Sequence, residues 1–121
     1  MEMCVVARTG ALVNRIVNDL QGMNIQTLML DSKTKDDSGI QGVRVATMHR
    51  VKGMEFTCMY IPYANSDFLP LRAEIRHAEQ DEIPDLMRQE ANLLSVAMTR
   101  AKRKVLITYR GKPSPFLKAI M

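Results

Sequence analysis

The chain predicts an α/β protein built on a parallel sheet covered by helices on both faces. Three observations carry this. Short apolar runs recur without polar alternation, at Met3–Ala7, Val43–Thr47 and Phe56–Ile61, as strands buried on both faces require. Stretches with apolar residues at helical spacing alternate with those runs. And 121 residues, 46% of them hydrophobic, can bury a substantial core.

In order, Met3–Ala7 is too short for a helix and reads as a buried strand. Thr9 can cap a helix whose apolar positions are Leu12, Val13, Ile16, Val17 and Leu20, with Gly22 ending it. Residues 25–30 form a second strand, and 31–42, rich in Gly, Ser and Asp, a loop. Val43–Thr47 is the third strand, 48–55 a loop or single turn, and Phe56–Ile61 the fourth strand, closed by Pro62. Residues 65–81 mix Pro, charge and scattered apolar side chains, an irregular excursion with some helix. A long amphipathic helix over 83–101 follows, with Ile83, Leu86, Met87, Leu94, Ala97, Met98 and Ala101 on one face. Residues 104–109 make the last strand and 115–120 a closing turn.

Composition narrows the function classes. With 25% charged residues the chain has the make-up of a water-soluble domain. No apolar run approaches the length needed to span a bilayer, and the first residues do not make a signal peptide, so a cytoplasmic protein without membrane partners is expected. Ten Met fill a core adaptably. Cys4 and Cys58 lie in separate strand runs without metal-ligand spacing, as two buried thiols in a reducing compartment, and no metal site is expected. The net charge of +4 permits nucleic-acid contact. Its distribution is more telling: residues 67–90 are acid-rich, whereas 100–112 carry Arg100, Lys102, Arg103, Lys104, Arg110 and Lys112 and no acid.

The polar functions concentrate in two places. Thr47-Met48-His49-Arg50-Val51-Lys52-Gly53-Met54-Glu55 follows the third strand, and Thr99-Arg100 ends the long helix. Thr47 and His49 can donate to phosphate, and His49 can stack on a base. Lys52-Gly53 sets a cation beside an unencumbered backbone N–H, suited to an anion. Glu55 only accepts, so it suits sugar hydroxyls. Arg100 is planar, bidentate and always charged, fit to brace a transferring phosphoryl group. Lys102 and Arg103 would complement the dipole at the helix C-terminus. Since ligands of parallel sheets bind at the carboxyl ends of strands, both motifs are expected at that edge.

The motifs resemble motifs V and VI of the UvrD/Rep family of superfamily 1 helicases. Thr-Met-His-Arg-Val-Lys-Gly-Met-Glu-Phe is similar to motif V, departing at Met54, where Leu is usual, and Val96-Ala97-Met98-Thr99-Arg100-Ala101 is similar to motif VI. Val5-Val6-Ala7-Arg8-Thr9 resembles more loosely a strand followed by Arg-Thr-Asn that touches DNA, with Gly10 in place of Asn. Arg88, Gln89 and Glu90 match the family's approach to motif VI but read as helix surface.

The resemblance implies a RecA-like C-terminal motor domain over residues 1–121, a fragment of a larger 3′-to-5′ helicase. It implies His49, Thr47, Lys52, Arg8 and Thr9 as contacts to single-stranded DNA. It implies Glu55, Gly53 and Arg100 as nucleotide contacts, with Arg100 the catalytic finger. The large accessory domain that many members insert before motif V is replaced by about thirty-five residues. The phosphate-loop pattern G-x-x-x-x-G-K-[ST] is absent, and no strand ends in the Asp-Glu pair needed to hold magnesium. ATP with Mg²⁺ would therefore bind mainly to an N-terminal RecA-like domain of the same protein, and this fragment alone would be inactive. Two other readings stay open: a non-catalytic DNA- or protein-binding module derived from a helicase domain, and a small α/β nucleotide-binding protein acting alone.

Overall fold

The computed structural model describes residues 3–31 and 39–119; most of the expected 31–42 loop and the last residue of the closing turn lie outside them. The described elements are β1 (Met3–Ala7), α1 (Gly10–Gly22), β2 (Thr27–Met29), β3 (Val43–Thr47), β4 (Phe56–Ile61), α2 (Arg72–Arg76), α3 (Ile83–Met98) and β5 (Ala101–Ile107). The strands form one sheet in the order β2-β3-β1-β4-β5, every pair parallel. This is the α/β architecture that the apolar runs predict.

Side-chain alternation along β1 builds two cores. Cys4 and Val6 face a cluster containing Ala46, Met48, Val51, Phe56, Met59, Ile61 and, from α3, Leu94 and Ala97. Val5 and Ala7 face the opposite cluster, with Val45 and, from α1, Leu12, Val13 and Ile16. A strand flanked this way is apolar at every position, which is why β1 shows no period of two. Cys4 is buried, whereas Cys58 is only half-buried, short of the expected second buried thiol. Among the described residues no helix is long and apolar enough to cross a membrane.

Thr9 caps α1, its Oγ1 accepting from the Leu12 N–H at 3.2 Å. Gly22 is the last residue of the helix, as expected, but the left-handed residue of the exit turn is Asn24, with φ of 59°, a conformation Asn tolerates. β2 is three residues long, not six: it pairs only with β3, and Ile25 and Gln26 are exposed.

α3 begins with Pro84 in its first turn, where a missing N–H costs nothing. It stops at Met98, three residues before the expected end. The Thr99 hydroxyl donates to the Val96 carbonyl at 2.7 Å and the Arg100 N–H reaches Ala97 O at 3.2 Å, closing the last turn. The chain enters β5 at Ala101, so Lys102, Arg103 and Lys104 lie on a strand and not at a helix end. β4 and β5 pair Phe56 with Ala101 but Cys58 with Lys104, an extra residue in β5. That bulge explains how three successive cations of one strand are all exposed. The 65–81 excursion contains α2 and is pinned at buried Leu69, whose carbonyl accepts from the Ser114 hydroxyl.

The β3–β4 connection decides where the motif residues stand. β3 and β4 are parallel with β1 between them, so residues 48–55 must return from the carboxyl edge of the sheet to its amino edge. A five-residue strand is roughly 17 Å tall, while eight residues wound as a helix would span about 12 Å. The segment accordingly runs as successive turns. Met48 and Val51 are buried anchors three residues apart, and His49, Lys52, Gly53 and Glu55 are left exposed.

Candidate functional site

The first half of the motif stands at the carboxyl edge. Ala7 pairs with Thr47, and the Met48 N–H donates to Ala7 O at 3.0 Å, so Arg8, Thr9, Thr47 and His49 leave the sheet side by side. His49 is exposed and Thr47 half-buried. Arg8, His49 and Lys52 line a groove of about 480 Å³ whose far wall is α3, through Gln89, Asn92, Leu93 and Val96. A second cleft of about 540 Å³ lies on the other side of His49, bounded by Thr47, Arg50, Asn14 and Asp31. Thr9 is occupied as the α1 cap. His49 thus borders two grooves, one of which also carries Arg8 and Lys52 on its walls together with the carboxylates of Glu74 and Glu90.

The second half of the motif stands at the opposite edge. The Phe56 N–H donates to the Arg100 carbonyl at 2.8 Å, and Phe56 pairs with Ala101. Glu55 and Arg100 therefore precede adjacent parallel strands at their amino ends. The expectation that both motifs bear on the carboxyl edge is corrected here: a residue just before a strand stands at its amino end. Glu55 is largely exposed, and its Oε2 lies 3.7 Å from Lys102 Nζ. Gly53, on the way down, has φ of +81° with nothing within 4 Å of where a Cβ would sit. The backbone conformation alone selects glycine there.

Arg100 is half-buried. Its Nη2 lies 3.2 Å from Thr99 Oγ1, and its Nε is buried with no hydrogen-bond partner among the described residues. Native folds rarely leave a buried donor unmade, because doing so costs about 1–3 kcal/mol. The buried, unfilled Nε of Arg100 is thus an exception of the kind that needs a physical account.

The sequence reading put Glu90 on the helix surface; the structure buries it. Its carboxylate holds Arg8 in a forked pair, Nε to Oε1 at 2.9 Å and to Oε2 at 3.1 Å, and Nη2 to Oε2 at 3.0 Å. It also accepts from the Leu71 N–H at 2.8 Å. The signal was present: Glu90 is four residues before Leu94 and seven before Ala97, on the helix's own apolar face. A carboxylate on such a face needs a partner of opposite charge.

Comparison with known proteins bears on the family and the fold. The model of the UvrD-like helicase C-terminal domain matches residues 13–112. No curated protein matches the chain. Among solved structures, the C-terminal domain of a possible DNA helicase from Lactobacillus plantarum WCFS1 superposes with a TM-score of 0.66 at 19% identity, over 95% of this chain and 60% of that one. The C-terminal part of the Fun30 ATPase domain covers 97% of this chain and 37% of its own length, with a TM-score of 0.48 at 14% identity. The chain thus spans about 60% of the first of these solved domains. The family match marks a helicase motor domain. The chain belongs to the family of UvrD-like helicase C-terminal domains.

Proposed function

We propose that this chain is the C-terminal motor domain of an ATP-dependent DNA helicase that moves 3′ to 5′ on single-stranded DNA. The observation that carries the reading is the division of the motif residues between two edges. Glu55 and Arg100 share the amino edge, while Arg8, Thr47 and His49 share the carboxyl edge. A motor must hold nucleotide and track at separate places and connect them. Here the 48–55 segment and α3 both run between the edges.

At the amino edge, Arg100 would face an ATP bound mainly to an N-terminal RecA-like domain of the same protein. Its guanidinium neutralises charge on the γ-phosphoryl oxygens as the bond to the leaving diphosphate breaks and water attacks. Glu55 accepts from the ribose hydroxyls. Magnesium bound with ATP would supply further neutralisation of phosphate charge; the groups this edge offers, Arg100, Lys102 and the single carboxylate of Glu55, would complement the metal instead of holding it. At the carboxyl edge, Thr47, His49, Lys52 and Arg8 take the DNA backbone, and His49 stacks on a base. Thr9 supports that contact as the cap that fixes the start of α1.

Closure of the cleft on ATP engages Arg100, and reopening after hydrolysis lets the DNA contacts advance. The isolated domain, lacking a phosphate loop, does not turn over ATP.

The test is a pair of variants in the full-length protein. Arg100→Ala abolishes ATP turnover and leaves nucleotide-free DNA affinity unchanged. His49→Ala lowers DNA affinity and leaves DNA-independent turnover unchanged. DNA binding with ATPase indifferent to Arg100→Ala would instead identify a non-catalytic binding module.

A further inference from the structure

We propose that Glu90 is a positioning residue for DNA binding: it grips one edge of the Arg8 guanidinium so that the other edge is presented to a phosphodiester in the groove beside His49 and Lys52. This rests on the reading of Arg8 as a DNA contact.

An arginine offers five N–H donors in a rigid plane. Glu90 takes the Nε and Nη2 donors of Arg8, at 2.9 to 3.1 Å. Among the described residues no bond to Nη1 is present. Both side chains are close to buried, 11% exposed for Arg8 and 9% for Glu90, so the guanidinium has little freedom to turn. Glu90 is itself fixed, by α3 and by the Leu71 N–H. Arg8 lines the same groove as His49 and Lys52. The fork therefore leaves the free edge of a guanidinium in a groove shared with His49, Lys52 and, on another wall, the Glu74 carboxylate. The ligand this suits is an oxyanion carried on a chain, a phosphodiester.

Charge alone argues the other way. A carboxylate beside a phosphate site repels the ligand, so a purely electrostatic account predicts that neutralising Glu90 tightens DNA binding. Positioning predicts that it weakens binding. The two accounts differ in sign.

The experiment is a fluorescence-anisotropy titration of labelled oligo-dT with the full-length protein, without nucleotide, over a series of salt concentrations. Arg8→Gln, Glu90→Gln, Glu90→Asp and the Arg8→Gln/Glu90→Gln double variant are compared with wild type, each checked by thermal melting. Glu90→Gln is expected to lower affinity about tenfold, the scale of one charge-assisted hydrogen bond. It should also flatten the log–log salt dependence by about 0.7, the loss of one phosphate contact on a single strand. Arg8→Gln should do the same, and the double variant should bind no worse than Arg8→Gln alone. A merely structural role lowers the melting temperature without changing the salt slope.

If Glu90→Gln does not fold, Glu90→Asp decides, since it keeps the charge but withdraws the carboxylate by one methylene; a flattened slope supports positioning. Wild-type or tighter binding by the folded Glu90 variant, with Arg8→Gln weakened, overturns the role of Glu90 and leaves Arg8 as a DNA contact. Unchanged binding by Arg8→Gln overturns both.

Discussion

The Phe56 N–H donates to the carbonyl of Arg100 at 2.8 Å, which joins the end of motif V to the end of motif VI through the backbone. The backbones at 55 and 100 are then neighbours at the amino edge. One consequence is that Phe56, buried to 1% exposure at the head of β4, carries the geometry of the amino edge. Phe56→Ala is expected to destabilise the fold by about 3–5 kcal/mol, read as a lower midpoint in urea unfolding.

Glu55 behaves differently. It is 67% exposed and only 3.7 Å from Lys102, a pair of the kind that adds about 0–1 kcal/mol. Glu55→Ala is expected to melt like wild type while raising KM for ATP in the full-length enzyme. Steady-state kinetics beside a melting curve separates these; a large loss of stability with KM unchanged would make Glu55 structural.

His49 sits between two grooves and buries little. His49→Ala is expected to cost about 1–3 kcal/mol of single-strand affinity if a base stacks there, with no change in melting. Anisotropy with oligo-dT and with an abasic strand of the same length reads the stacking part directly, since the penalty should vanish on the abasic strand.

Gly53 tests the turn itself. A methyl group at 53 meets nothing within 4 Å, but φ is +81°, so Gly53→Ala is expected to cost about 1–2 kcal/mol through backbone strain alone. Chemical denaturation measures it; a neutral result would mean that the loop relaxes to another conformation, and ATP turnover would then report whether Glu55 moved with it.

Much of the fold was legible because burial on both faces leaves an unmistakable mark. β1, β3 and β4 begin and end where their apolar runs do. The ends of α3 and β5 were not, since Thr99 and Arg100 suit a helix as well as a turn, and it is the bonds from the Thr99 hydroxyl to Val96 O and from the Arg100 N–H to Ala97 O that close it. The candidate site was legible as a set of residues but not as a layout. Nearness in sequence suggested that His49 and Glu55 act at one edge. Yet two parallel strands joined by eight residues require that segment to cross the full height of the sheet, so the two must part. Glu90 was missed for a related reason: in a charged helix, one carboxylate on the apolar face is hidden among those on the solvent face. Its partner Arg8 lies 82 residues away, a pairing that only the fold brings together.

The most direct test of the central claim is ATP turnover by the full-length protein carrying Arg100→Ala, at saturating single-stranded DNA. The arrangement at the amino edge predicts a loss of about 10³-fold or more in kcat, with DNA affinity intact. Turnover near wild type would contradict it: Arg100 would then not reach the transferring phosphoryl group.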